Sequence, residues 1–447
     1  MRLLRKQIVF IIALLPLFSG VQAQQGNKAA VTDTAKKQAP TVATLTIGAE
    51  LRTRTEFRHG YRQLPVGDTL PAFFTIHRTR INIDYKSKKL DLYASLQEAR
   101  TWGSVDPRNP TVPISFFEAY AEPHITDKIS FRIGRQRVLY DNQRLFAEND
   151  WRNPANAHDA FRFIYNNKKN LATEFVTAYN QSSENTFTSK YTPSGFNNYK
   201  TLNVHYLNYK INKNWNLITL NTADGYQKST GADGYKTTYM RFTSGGHLEY
   251  TNNKFTALTH AYYQYGKDST GNKLSAWFLN PEVMYKSKEW TVRLGAEIMS
   301  GQDATKPFEK DNSFVALYGV AHRFNGNLDF FTTFPTDLNN AGLVNPYLFI
   351  WYQKGKVYLR MENHLFYSQN NFKQEDVIIK KYLGFENDWR INYKFSNTVE
   401  LEGGACWAAV TNSMAAIKKS GDASKIPWWT YISFKFTPQL GKFSFDK

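Results

Sequence analysis

Residues 45–58 read LTIGAELRTRTEFR, with Glu50, Arg52, Arg54 and Glu56 on alternate positions and Leu45, Ile47, Ala49, Leu51 and Phe57 between them. Further charged sets follow: Arg78 and Arg80, Glu98 and Arg100, Glu118 and Glu122, Arg132 with Arg135 and Gln136, and Asp159 with Arg162. A guanidinium is a planar fork of donors that engages a carboxylate through two parallel hydrogen bonds. Interleaved acids orient such groups and stop an anion from sticking, and conduction requires binding weak enough to release. These residues are the candidate solute-contacting set. The competing role is mechanical, because Arg–Glu pairs on neighbouring strands also tie a wall together.

Other chemistry is faint. His77, His158 and Asp159 lie among scattered serines, but no nucleophile–base spacing accompanies them, so no catalytic residue is assigned. Asp268 and Asn272 carry oxygen ligands suited to Ca²⁺, yet DSTGN is ordinary loop composition. The lone Cys406 excludes an internal disulfide and a thiolate metal cluster. There is no glycine-rich phosphate loop, and basic and aromatic residues are too dispersed for a nucleic-acid platform. The expectation is a non-enzymatic protein without metal, cofactor or nucleic-acid partner.

The elements that carry the charged set must be strands, because a period of two sends successive side chains to opposite faces. Such alternation fits a soluble sheet with its charges in water, or a membrane barrel with its apolar face in lipid and its charges in a watery lumen. Strand length separates the two. The alternating runs at 45–58, 73–86, 290–301 and 380–394 are about a dozen residues long. Soluble strands cluster near about 5–6 residues, whereas tilted membrane strands need about 9–11. Late strands keep the pattern: Leu383, Phe385, Trp389 and Ile391 oppose Gly384, Glu386, Asp388 and Arg390.

A hairpin unit repeats along the chain. Tyr85, Tyr165, Tyr209, Tyr250, Tyr285, Tyr352 and Tyr393 each end an apolar run and precede a short Lys/Asn turn. Asn, Lys and Gly suit tight turns. A tyrosine at a fixed place settles at a membrane–water boundary, its ring in hydrocarbon and its hydroxyl at the headgroups. An eighth short connection is PHITDK, at 123–128. Long, irregular connections alternate with these turns, at 59–72, 103–113, 141–157, 181–198, 224–236, 267–273, 301–340, 368–379 and 411–427. Eight short and nine long connections give eighteen antiparallel strands, an even number that leaves both ends on the short-turn side. A hairpin within 313–334 would raise the number to twenty.

The first residues carry Arg2, Arg5 and Lys6, then an apolar run from Ile8 to Phe18, and small residues before Gln24. This is the layout of a secretory signal peptide over 1–23, followed by a flexible leader over 24–44 and a single barrel domain over 45–447. A mean hydropathy of −0.52 argues against a helical membrane bundle. The formal charge of +18 falls to +15 when those three cationic residues are removed. Thirteen lysines in the tyrosine-preceded turns, less Glu289, account for +12 of it. Charge at a membrane edge is poor evidence for pore selectivity.

The stretches ELRTRTEFR, HRTRINID, LQEARTWG, FFEAYAEP and RIGRQRVLYDNQRLF, followed by WRNPANAHDAFR, resemble the alginate-export family of outer-membrane porins. Arg52, Arg54, Arg78, Arg80, Glu98, Arg100, Glu118, Gly134, Arg135, Gln136, Trp151, Asp159 and Arg162 carry the match, which covers about residues 47–165; GNLDFF near Asp329 is a later echo. The resemblance implies an eighteen-stranded monomeric barrel with an arginine- and acid-lined pore, in the outer membrane of a Gram-negative bacterium. The expected function is a porin biased towards anionic sugars or polyuronates, in contact with outer-membrane lipid. A dedicated exporter of an alginate-like polysaccharide is the alternative. A barrel acting through its loops in adhesion or assembly is the reading from another class.

Overall fold

A computed structural model describes residues 41–446, apart from 110, 112–113, 192–197 and 229–233. The expected signal peptide and residues 24–40 of the leader lie outside the described residues. The chain is almost entirely β. Its strands are β1 (Thr41–His59), β2 (Ala72–Ser87), β3 (Leu90–Thr101), β4 (Ser115–Pro123), β5 (Ile129–Gln136) and β6 (His158–Asn166). Then come β7 (Leu171–Tyr179), β8 (Thr201–Lys210), β9 (Trp215–Gln227), β10 (Thr238–Asn252), β11 (Phe255–Lys267) and β12 (Lys273–Lys286). Next are β13 (Trp290–Met299), β14 (Leu343–Lys354), β15 (Val357–Ser368), and a small hairpin of β16 (Phe372–Gln374) and β17 (Val377–Ile379). The last are β18 (Tyr382–Lys394), β19 (Val399–Val410), β20 (Trp428–Phe436) and β21 (Gln439–Asp446).

Each barrel strand pairs antiparallel with the next, and β1 closes the circle against β20 and β21. These two are halves of one stave interrupted at Thr437 and Pro438. Proline cannot donate to the ladder, and the Ala49 N–H donates to its carbonyl at 3.0 Å across the break. The result is a closed eighteen-stranded barrel. Closure removes the unpaired edges that lipid cannot satisfy.

The outer face is apolar. Leu51, Ile81, Ile83, Leu92, Phe131, Leu294, Ile391 and Ile432 are all exposed. Cross-strand aromatic pairs mark the short-turn rim: Trp215 with Tyr250 at 4.8 Å, Phe255 with Tyr285 at 5.1 Å, and Trp290 with Tyr352 at 4.7 Å. They are the tyrosines that precede the lysine turns.

Two strands run well beyond their expected ends. β1 starts at Thr41 rather than Leu45, because Ala43 and Thr44 are still in register with both β2 and β21. The loop expected from 224 begins later, because β9 runs on to Gln227; Asp224 sits directly opposite Arg241 and forms a buried ion pair with it. The cross-strand pairing satisfies a charge that reads as loop composition in sequence.

Residues 313–334 form no hairpin. The 300–342 connection folds into the barrel, burying Phe314, Tyr318, Leu328, Phe330 and Phe331. Its backbone is held by wall carboxylates: Asn327 N–H donates to Asp388 at 3.0 Å and Leu328 N–H to Glu386 at 2.7 Å. The 137–157 connection folds in beside it. Phe146 and Tyr318 form a parallel bridge, and the Tyr318 N–H donates to the Leu145 carbonyl at 2.9 Å. A short helix, Asn412–Lys418, packs Met414 and Ile417 onto the same interior cluster. The apolar core of this barrel therefore forms where the in-folded loops pack against inward residues of the wall, such as Val204, Phe278 and Trp429.

Candidate functional site in the barrel interior

Asp150, on the in-folded 137–157 connection, meets three arginines from the first two strands. Its carboxylate lies 2.8 Å from Arg78, 3.3 Å from Arg80 and 3.5 Å from Arg52. Register explains the convergence, because Arg52 faces Arg78 and Glu50 faces Arg80 across β1 and β2. Burial alone would raise the Asp150 carboxyl, but Arg78, Arg52 and Arg80 more than offset it and hold it at about 2. Arg78 is fully buried and also donates through Nε to Glu50 at 2.8 Å. Arg80 donates to Gln97 at 2.7 Å and lies over the Phe117 ring at 3.9 Å. Both are committed to holding the loop.

Arg52 and Arg54 play a double part. Arg52 donates to the Arg152 carbonyl at 2.9 Å. Arg54 donates to Glu56 and to the Trp151 carbonyl, both at 2.8 Å, and its guanidinium lies 3.9 Å over the Trp151 ring. Both also face a cavity of about 310 Å³. The same cavity is lined by Arg323 from the 300–342 connection, Arg390 from β18 and Lys435 from β20, among Glu148, Asp150, Glu400 and Glu402. Arg390 donates to Asn327 at 2.9 Å and lies 5.6 Å from the Trp151 ring. Among the described residues, neither Arg323 nor Arg390 has a carboxylate within ion-pair distance. A second cavity, of about 260 Å³, lies towards the short-turn rim beside Arg360, Lys356 and Lys394, and it shares Glu400 with the first. Charged groups thus run from one cavity to the next along β15, β18 and β19.

Several solved structures share this architecture. OpdL of Pseudomonas aeruginosa superposes with a TM-score of 0.60 at 10% identity, over 89% of this chain and 99% of its own. OccAB1 of Acinetobacter baumannii gives 0.60 at 10%, over 92% and 100%, and OccK9 (OpdG) of Pseudomonas aeruginosa gives 0.59 at 9%, over 89% and 98%. The fold is that of an outer-membrane porin. At such identity the likeness is one of architecture, a closed eighteen-stranded barrel with an apolar outer belt. No family model matches the chain, nor does any curated protein, so the resemblance to the alginate-export family rests on its motifs alone.

The remaining candidates divide by face. Glu118 is buried and receives the Arg137 N–H at 2.9 Å, with the Arg137 guanidinium at 2.8 Å. Glu122 accepts from Ser130 and Arg132, each at 2.7 Å. Arg162 pairs with Glu174 at 2.6 Å, and the buried Gln136 donates to the Ala160 carbonyl at 2.9 Å. With Glu50 and Glu56 these are inward, but they tie strand to strand or strand to loop, away from both cavities.

Glu98, Arg100, Arg135 and Asp159 are not inward. Glu98 and Arg100 pair in register with Thr79 and His77, on the face of the exposed Ile81 and Ile83. Glu98 contacts His77 at 2.8 Å, and the Trp102 indole donates to the other nitrogen of that ring at 2.9 Å. Arg135 shares its face with Phe131 and Ile133, and it pairs with Asp159 at 2.7 Å. These positions are near the long-loop ends of their strands, where the cost of charge on the outer face falls towards about 0–1 kcal/mol. Their own parity gave the face; the family motif had drawn them into the pore set.

Sequence reasoning missed Arg323, Arg390, Lys435, Glu400 and Glu402. Arg390 is on the charged parity of its strand, and Glu400 and Glu402 alternate in the same way, so the signal was available. The DSTGN turn is internally satisfied: Asp268 accepts from the N–H groups of Thr270 and Asn272 at 2.8 and 2.9 Å.

Proposed function

We propose that this protein is a passive outer-membrane channel for small anionic solutes, of which sugar acids are the class best matched. The carrying observation is that two guanidinium groups, Arg323 and Arg390, line the 310 Å³ cavity with no carboxylate within ion-pair distance among the described residues. An unpaired arginine fork in a narrow, partly desolvated passage is a receptor for a carboxylate. The nearby Glu400 and Glu402 keep the attraction shallow enough for release. The cavity is at the small end of the range of about 300–1,000 Å³ for small-molecule sites, which suits one short solute at a time. The motifs shared with alginate-export porins support a uronate-like cargo, and a dedicated polyuronate exporter would differ from this reading in the length of its cargo. The channel works as a monomer, its apolar belt in outer-membrane lipid.

Reversal potentials in planar bilayers test the proposal. Arg323→Gln with Arg390→Gln should move ion preference towards cations, and the difference from the native channel should shrink at 1 M salt, where the Debye length is about 3 Å. Liposome swelling should be faster with glucuronate than with glucosamine, and the double variant should lose that order. An unchanged preference in a folded double variant would overturn the anionic reading.

A further inference from the structure

Away from the cavity, three side chains with metal-ligand chemistry meet on the inner wall. His247 on β10 and His260 on β11 are direct cross-strand partners, with ring centroids 4.6 Å apart. Asp141, at the start of the in-folded connection, reaches between them. Its Oδ2 is 2.9 Å from His247 Nδ1 and 3.1 Å from His260 Nδ1. One candidate donor atom from each residue lies within 4.8 Å of the other two.

The Asp141–histidine contacts are short, but their hydrogen-bond geometry is poor. Asp141 Oδ2 and both ring nitrogens of His247 are buried without a hydrogen-bond partner of acceptable geometry. Buried polar atoms are nearly always satisfied, and two of these, Asp141 Oδ2 and His247 Nδ1, face each other at the centre of the cluster, where a cation would satisfy both. The spacing suggests which. Metal–nitrogen and metal–oxygen bonds of about 2.0–2.1 Å put neighbouring ligand atoms about 2.8–3.4 Å apart in octahedral or tetrahedral shells, a range that includes both Asp141–histidine separations. The outer nitrogen of His247 also suits this role. His247 Nε2 lies 4.0 Å from the Glu249 carboxylate. A ligating imidazole characteristically turns its other nitrogen to a carboxylate or amide that fixes its tautomer.

We infer that Asp141, His247 and His260 form a binding site for a divalent transition-metal ion of the zinc class. Two imidazoles and a single carboxylate favour Zn²⁺, Co²⁺ or Ni²⁺ over Ca²⁺ and Mg²⁺, which take oxygen ligands. The occupied site fastens the first residues of the 137–157 connection to the β10–β11 wall. The same connection presents Glu148, Asp150 and Trp151 to the cavity. The ion therefore stiffens one side of the passage without standing in it.

The test uses untagged, chelator-stripped full-length protein in detergent, titrated with Co²⁺ by visible absorption and with Zn²⁺ by calorimetry. One tight equivalent is expected, with Co²⁺ bands displaced by Zn²⁺ and untouched by millimolar Ca²⁺. His260→Gln and Asp141→Asn should each weaken binding by about 100-fold or more, while both variants still migrate as folded barrels on unboiled gels. Absence of a stoichiometric site, or equal binding by the native protein and both variants, would overturn the inference and mark any bound metal as adventitious.

Discussion

Trp151 of one in-folded connection lies flat on His322 of the other, with ring centroids 4.4 Å apart and planes 9° apart. The stack is wedged against Trp429 and Tyr431 of β20, whose rings stand edge-on to Trp151 at 5.4 and 5.0 Å. Both partners line the 310 Å³ cavity, so an aromatic contact between loops forms part of its wall. Replacing Trp151 with Ala should remove that wall while leaving every barrel strand paired. Single-channel conductance is expected to rise and anion preference to weaken, with unboiled gel mobility unchanged. Conductance equal to that of the native channel would separate Trp151 from the limiting constriction.

Arg78 gives a contrasting expectation. It is fully buried between Glu50 and Asp150, and removing one partner of such a network leaves uncompensated buried charge, costing on the order of 3–5 kcal/mol. Arg78→Gln should therefore lower the thermal unfolding midpoint and loosen the 137–157 connection. Its reversal potential should change less than that of Arg323→Gln. Circular dichroism melts and bilayer recordings on the two variants resolve the roles, and the opposite ranking would exchange them.

The Asp150 carboxyl predicts an acid response. Its acidity in the folded loop is near 2, against an ordinary value of 3.8. A group with a depressed folded value contributes its full stabilisation above the ordinary value and loses it as pH falls through the folded value. The latch on Arg52, Arg78 and Arg80 should accordingly hold at pH 5 and weaken between about 4 and 2. Channel noise and pepsin cleavage within 137–157 should both rise in that window. Asp150→Asn should show high noise already at neutral pH, with no further change of this kind on acidification.

Gly326 is held at φ +82°, a region that favours glycine, and a Cβ built there would fall 2.5 Å from the Glu386 carboxylate carbon. Gly326→Ala should displace the loop tip from Glu386 and Asp388 at a cost of about 1–3 kcal/mol. Faster hydrogen exchange at Asn327 and Leu328, with strand amides unaffected, is the expected readout. Protection at those two amides matching the native protein would show that the tip adapts without leaving its carboxylates.

The strands, the short turns and most long connections were legible because lipid imposes a period of two, a minimum strand length and a rim of tyrosines. Those constraints act residue by residue, so a sequence displays them. The interior was less legible. GNLDFF reads as loop composition, and nothing local says that Phe330 and Phe331 are buried inside a barrel. Arg390 and Glu402 follow the charged parity of their strands, but they lie beyond the stretch of family motifs and were passed over. Glu98 and Asp159 show the converse error, in which a shared motif outweighed the parity of the strand. His247 and His260 become partners only through the register of one hairpin, and Asp141 reaches them only by tertiary folding.

The seam between β1 and the broken last stave has a consequence for biogenesis. Glu56 accepts a hydrogen bond from the Trp429 indole across 373 residues of chain, so the first strand stays without its second neighbour until nearly all the others have been laid down. Loop-closure entropy over such a separation makes this pairing a late one. A chain halted before β20 would present two raw edges together with an interior of unpacked aromatic loops, and both are invitations to aggregate. Completion of the seam therefore acts as a check on the whole molecule: a truncated copy has no partial form of the barrel in which to persist.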